Sequence, residues 1–187
     1  PGSGTVYPER AARMRPGTRY RVIVDAGVVD ALGQAAPAFA ATVALDDVEP
    51  GLRVTTNLAL VESGADAAFP VEAVNVRAVQ ANIELLGVGE MAQALHDWRW
   101  AGAAPSVTRV VDTSSARNAG VRKPLPLNEL FAPGAPKLFR LKLSAPEVKG
   151  EEPKVIGQVT DLAAHAKLGV TSSLVWVTSV AKGAPVA

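Results

Sequence analysis

Apolar and polar positions alternate with period two along most of this chain. Thr18 to Asp25 places Tyr20, Val22 and Val24 on one face and Arg19, Arg21 and Ile23 on the other. Ala38 to Leu45 repeats the pattern through Phe39, Ala41 and Val43. Such alternation in β-branched and aromatic residues predicts half-buried strands. Leu52 to Val61 reads as a strand, followed by a turn at Ser63-Gly64-Ala65-Asp66. Ala68 to Val76 alternates through Phe69, Val71, Ala73 and Asn75, and Pro70 predicts an edge strand or a strand start. Val79 to Leu86 carries Val79, Ala81, Ile83 and Leu85 on one face. Further strands are predicted at Val107–Thr113, Leu138–Leu143, Val155–Leu162, Ala163–Leu168 and Ser173–Val180. In the fourth strand of that group Ala164, Ala166 and Leu168 are expected inward, with His165 and Lys167 outward. Only Glu90 to Trp100 has helical periodicity, with Met91, Leu95 and Trp98 on one stripe. Short strands separated by Pro- and Gly-rich turns, with one helix, predict an all-β chain of antiparallel β-sandwiches.

Punctuation divides the pattern. Asp46-Asp47 and Pro50-Gly51 close a first unit with two clear strands, too few to bury a sheet face alone. That unit reads as the tail of a sandwich whose other strands lie upstream. Pro1-Gly2-Ser3-Gly4 is not a natural start, and both ends read as cuts inside a longer protein.

Composition narrows the chemistry. The 187 residues carry 19 Lys plus Arg against 18 Asp plus Glu, a net charge of +1. A phosphate-tracking nucleic-acid binder needs a concentrated basic face, so no nucleic-acid partner is expected. There is no cysteine, which removes disulfide scaffolds, thiolate zinc sites and cysteine nucleophiles from this segment. No apolar stretch approaches the ~20 residues of a membrane span, so no membrane contact is expected from this segment. The basic run Arg10, Arg13, Arg15, Arg19 and Arg21 reads as a solvated strand face.

The sharpest chemical motif is Gly87-Val-Gly89-Glu-Met-Ala92, which follows a strand and opens a helix. It has the G-x-G-x-x-A form of a dinucleotide fingerprint, and Asp112 ends a strand 23 residues after Gly89, where a ribose-binding acid belongs. Locally, residues 82–112 resemble the opening of a nicotinamide-dependent reductase of the pyrroline-5-carboxylate type. The rest of the chain lacks the strand–helix units of a doubly wound sheet, so the glycines are expected to form a turn, with no cofactor. Asp25, Asp30, Asp46 and Asp47 lack calcium-loop spacing and read as turn residues. His96 and His165 form no metal pair, His96 being expected on the solvent side of the helix and His165 on a polar strand face. No G-x-S-x-G nucleophile motif occurs, and no catalytic residue is assigned.

The C-terminal third carries a resemblance. Val155-Ile-Gly-Gln-Val-Thr-Asp-Leu-Ala-Ala-His-Ala-Lys-Leu-Gly169 runs into Ser173-Leu-Val-Trp-Val-Thr-Ser-Val-Ala-Lys-Gly-Ala-Pro-Val-Ala187. This resembles the junction between two macroglobulin-type domains of bacterial alpha-2-macroglobulins, with Ala163 where the family usually has Gly. Phe69 to Val76, Leu125 to Asn128 and Leu138 to Leu141 resemble the preceding domain. Leu32 to Leu45 resembles the close of a bacterial Ig-like domain. The resemblance implies three parts: the last strands of an Ig-like sandwich over 1–47, a macroglobulin-like sandwich over 48–160, and the first strands of the next over 161–187. It implies a non-enzymatic scaffold segment of an extracytoplasmic, for example periplasmic, protease-trapping inhibitor. Its partners would be neighbouring domains and, through the parent protein, target proteases. Leu162, Ala164, Ala166, Leu174, Trp176 and Val180 are the residues expected to pack the domain junction. An Ig-like surface adhesin is the rival class.

Overall fold

The computed structural model describes residues 14–64, 66–96, 104–132, 135 and 137–186. The chain divides into two units, 1–49 and 50–187.

In the first unit, β1 (Arg19–Val24) and β2 (Phe39–Ala44) form an antiparallel pair. Tyr20 faces Val43, Val22 faces Ala41 and Val24 faces Phe39, so the two apolar alternations share one face. Between the strands, Asp30 Oδ1 accepts the backbone amides of Leu32 and Gln34 at 2.8 and 2.9 Å. This Asx turn is the role expected of that aspartate. Arg19 and Arg21 lie together on the exposed opposite face, and Arg10 and Arg13 fall outside the described residues.

The sandwich of the second unit is built on two sheets. One orders β4 (Leu58–Glu62), β10 (Lys154–Thr160), β9 (Leu138–Ser144), β6 (Ala78–Leu86) and β7 (Val107–Asp112). The other orders β3 (Gly51–Arg53), β5 (Ala68–Val74) and β8 (Gly120–Pro126). Phe69, Val71, Val79, Ile83, Leu125, Leu141 and Val155 of the facing strands join in one buried core. That is a β-sandwich, as the alternation predicts. All strand pairs but one are antiparallel; β4 runs parallel to β10, which the sequence reading did not anticipate.

That pairing has a local cause. The strand expected over Leu52–Val61 is in fact two strands, one in each sheet. Thr56 Oγ1 donates to the Leu58 carbonyl at 2.7 Å and accepts the Leu58 amide at 3.1 Å, which bends the chain between them. The chain crosses to the other sheet and meets the last strand of the sandwich, β10, in parallel register from Ile156–Leu58 to Thr160–Glu62.

Strand β8 was not expected because it contains Pro124 and Pro126. Leu127 N donates to the Ala67 carbonyl at 2.9 Å, which fixes the hydrogen-bonded rungs of the β5–β8 pair. Rungs alternate, so Pro70 opposite Pro124, and Pro126 opposite Ala68, fall on rungs that need no N–H. Proline is therefore tolerated in all three places. β5 is central in its sheet rather than at an edge, but β3 pairs only with Glu72–Val74 and ends before Pro70.

The helix α1 spans Val88–His96, and Trp98 and Trp100 lie outside the described residues. Its buried contact is Ala94 rather than Leu95, which is 50% exposed. Ala94 packs with Leu86 and Ile156, flanked by Met91 and Leu138. Ile156 belongs to this small cluster while Val155 and Val159 belong to the main core, so the helix covers the outer face of the larger sheet.

Gly157 in β10 has no room for a side chain. A Cβ there would stand 2.5 Å from Phe139 Cζ and 2.9 Å from the Ala59 carbonyl oxygen. Gly157→Ala should therefore destabilise the sandwich by about 1–3 kcal/mol, the usual range for overpacking. Urea unfolding monitored by backbone circular dichroism checks this; an unchanged midpoint would show that the Phe139 ring has room to retreat.

Candidate functional site

Residues 161–186 hold the candidate site. β11 (Leu162–Leu168) and β12 (Ser173–Ser179) form an antiparallel hairpin, and only Asp161 separates β10 from β11. On the sandwich side, Ser63 N donates to the Thr160 carbonyl at 2.9 Å. On the hairpin side, Asp161 uses three oxygens. Its carbonyl accepts Val180 N at 2.6 Å, Oδ1 accepts Ala181 N at 2.8 Å and Oδ2 accepts the Ser179 hydroxyl at 2.6 Å.

The turn after β12 closes around this group. Ser179 Oγ accepts Lys182 N at 3.1 Å, and Gly183, at a φ of 62°, donates its amide to the Ser179 carbonyl at 2.8 Å. Ser179 N donates to the Ala184 carbonyl and Val186 N to the Val177 carbonyl, at 2.9 and 3.0 Å. The chain thus turns back along β12 at Gly183-Ala-Pro185. Ser179 is only 6% exposed. The Ser179 hydroxyl and then the Ala181 amide hold the Asp161 carboxyl below the ordinary aspartate value, with Lys182 adding attraction. A hydrogen bond made to the charged form favours that form.

The register separates the six residues expected at the junction. Leu162, Ala164 and Ala166 lie opposite Ser179, Val177 and Val175 and share their face. Leu174 and Trp176 lie on the other face, opposite Lys167 and His165. The His165 and Trp176 rings stack with centroids 5.2 Å apart and 15° between planes. Leu162, Ala164, Ala166, Leu174, Trp176 and Val180 are all exposed, Trp176 by 45%. Among the described residues they therefore do not form one packed set, and Trp176 lies outside the buried core. Antiparallel pairing puts the two groups on opposite sides of a single layer. The face of His165 is likewise not purely polar, because it carries Trp176. Val180 touches the joint through its backbone amide.

The residues that tie the joint, Asp161 and Ser179, belong to the V-T-D-L and W-V-T-S stretches of the sequence and are not among the six expected there. A signal was available: an Asp standing alone between two strands, and a Ser at the end of the next hairpin arm.

The dinucleotide-like motif resolves as a helix cap. Glu90 Oε2 accepts Gly87 N at 2.7 Å, and Met91 N donates to the Gly87 carbonyl at 3.0 Å. This is half of a capping box, with Gly87 as N-cap and Glu90 three residues on. β6 and β7 are antiparallel neighbours, whereas a dinucleotide fold requires its first two strands parallel. Asp112 instead accepts Ser114 N at 2.9 Å, and that bond heads the causes that lower its carboxyl below the ordinary value. His96 is exposed on α1. A hollow of about 320 Å³ lies between β7 and β8, where Arg109 and Lys123 are balanced by Asp112 and Glu129.

No family model matches the chain. No curated protein matches it either. Among solved structures it is similar to native alpha-2-macroglobulin from Escherichia coli spanning domains MG0-NIE-MG1, at a TM-score of 0.63 and 18% identity over 92% of this chain. The NIE-MG1 structure from the same protein aligns at 0.61 and 18% identity over 74% of this chain. A Salmonella alpha-2-macroglobulin reacted with methylamine aligns at 0.60 and 20% identity over 89% of this chain. The chain spans 59% of the first of these structures and 10% of the Salmonella one. Its fold is that of these bacterial alpha-2-macroglobulin segments, an all-β sandwich architecture.

Two outcomes are expected. NAD(H) at millimolar concentration should leave the melting temperature unchanged, whereas a ligand at about 100 times its Kd would add about 2.7 kcal/mol. Acid should loosen the joint. The depressed Asp161 carboxyl contributes stability that is complete above the unfolded aspartate pKa, about 4, and lost as pH falls through its lower folded value. The protection factor of the Ala181 amide, its NMR exchange rate corrected for intrinsic exchange at each pH, should accordingly stay high at neutral pH and fall below about pH 4; pH-independent protection would refute this.

Proposed function

We propose that this chain is a non-enzymatic structural segment of a bacterial alpha-2-macroglobulin-like protein, whose whole molecule traps proteases outside the cytoplasm. The observation that carries the reading is the extent of the structural likeness, which covers 92% of the chain. Coverage rises from 74% of the chain against the NIE-MG1 structure to 92% when MG0 precedes those domains. In this reading the chain has three parts: the end of an Ig-like sandwich over 1–47, a complete macroglobulin-like sandwich over 48–160 and the opening hairpin of a further one over 161–187. In this reading the exposed apolar faces at Leu162, Ala164 and Ala166 and at Leu174 and Trp176 are packing surfaces for strands of the next module. The partners are neighbouring domains of the same parent and, through the parent, target proteases.

The segment has no cysteine, so a thioester of the alpha-2-macroglobulin type would lie elsewhere in the parent. Its contribution is geometric: sandwiches that build a cage and pass on its rearrangement. The test uses the parent protein, a protease and substrates of two sizes. A trapped protease keeps its activity on small peptides and loses it on large proteins. Loss of both activities, or of neither, with several proteases would reject trapping and favour an adhesive or general scaffold role.

A further inference from the structure

We propose that Asp161 is a positioning residue that locks the β11–β12 hairpin at one fixed angle to the sandwich, so that the two move as a single body. The proposal does not depend on protease trapping. It rests on the length of the connection, the number of bonds made there and the exposure of the hairpin.

The connection is one residue long, since β10 ends at Thr160 and β11 begins at Leu162. Independent modules are joined by flexible segments rich in Gly, Ser or Pro, and Thr160-Asp161-Leu162 contains none of these. Three oxygens of Asp161 take donors from three successive residues, Ser179, Val180 and Ala181. Both arms of the hairpin are thereby pinned to one point, the near end of β11 by the chain and the far end of β12 by hydrogen bonds. The Ser179 hydroxyl is enclosed, being 6% exposed as a residue, and it passes the tie on to Lys182 N. The sandwich side is equally held, because Ser63 N donates to the Thr160 carbonyl and β10 is flanked on both edges by β4 and β9. The strands of the hairpin expose Leu162, Leu168, Leu174 and Trp176, so a second layer does not set its angle. Directional bonds to a carboxylate do.

Residual dipolar couplings on the full 187-residue chain test this. In the wild type, amides of β11–β12 and of β4–β10 should fit one alignment tensor. In Asp161→Ala the hairpin should need a separate tensor, while its own cross-strand contacts and the melting of the sandwich persist. Exchange of the Ala181 amide, which loses its carboxylate acceptor, should rise about tenfold, as for one lost hydrogen bond to a charged group. Where Asp161→Ala melts the hairpin, Ser179→Ala, which removes one donor to the carboxylate and the acceptor of Lys182 N but leaves the Ala181 bond, decides in the same way. A wild type that already needs two tensors overturns the proposal. So does a hairpin that stays folded and aligned with the sandwich in Asp161→Ala, or in Ser179→Ala where that variant decides.

Discussion

A sheet with one apolar face is stable only when a second layer covers that face, and this constraint organises the whole chain. In the sandwich it is met internally. Phe139, at 0% exposure, lies over Gly157 with no room for a methyl group between ring and backbone. Ile83, Leu141 and Val155 extend the same surface, and Phe69, Val71 and Leu125 close it from the other sheet. The chain enters this arrangement through β3 on one sheet and β4 on the other, so its opening strands contribute to both layers before the core strands are laid down. The parallel pairing of β4 with β10 follows from that entry, because the first strand of the larger sheet ends up beside the last.

Elsewhere the same constraint is not met by the described residues. In β1–β2, Val22, Phe39 and Val43 share one exposed face. In β11–β12 both faces carry large apolar groups, with the stacked His165 and Trp176 on one and Leu162 and Val175 on the other. An isolated two-stranded hairpin is marginal in water, and full cover of a Trp or Leu is worth roughly 1.5–3 kcal/mol. The hairpin therefore gains much from a second layer, which is what the scaffold reading supplies.

How much was legible follows the same logic. Alternation predicts the buried faces of β5 and β6, because burial is what writes the alternation into the sequence. β8 was missed because proline content outweighs pattern, and whether a rung needs its N–H depends on register, which a single strand does not reveal. The break within Leu52–Val61 was missed because both halves are apolar, and the bend rests on one threonine hydroxyl. The glycines at 87 and 89 read as a turn only when the whole chain is considered, and in the structure Gly87 caps α1. Locally a capped helix and a phosphate-binding loop call for the same residues. The joint was not read as a site because its chemistry is ordinary Asp and Ser; what distinguishes it is that a one-residue connection brings three donors to one residue.

The division of labour at that joint follows from the nature of the two interactions. Apolar cover is strong but non-directional: a hydrophobic face gains nearly the same free energy over a range of docking angles. A hydrogen bond to a carboxylate is worth only about 1.5–3 kcal/mol but weakens steeply once its angle is lost. Exposed Leu162, Leu174 and Trp176 are therefore suited to holding a neighbouring layer, and Asp161 to fixing where that layer must stand. A scaffold that transmits a rearrangement needs both, because a joint made of apolar contact alone would absorb by sliding the displacement it should pass on. Placing the directional element in the one residue between sandwich and hairpin leaves the covering faces free to be built from any apolar side chains of suitable size.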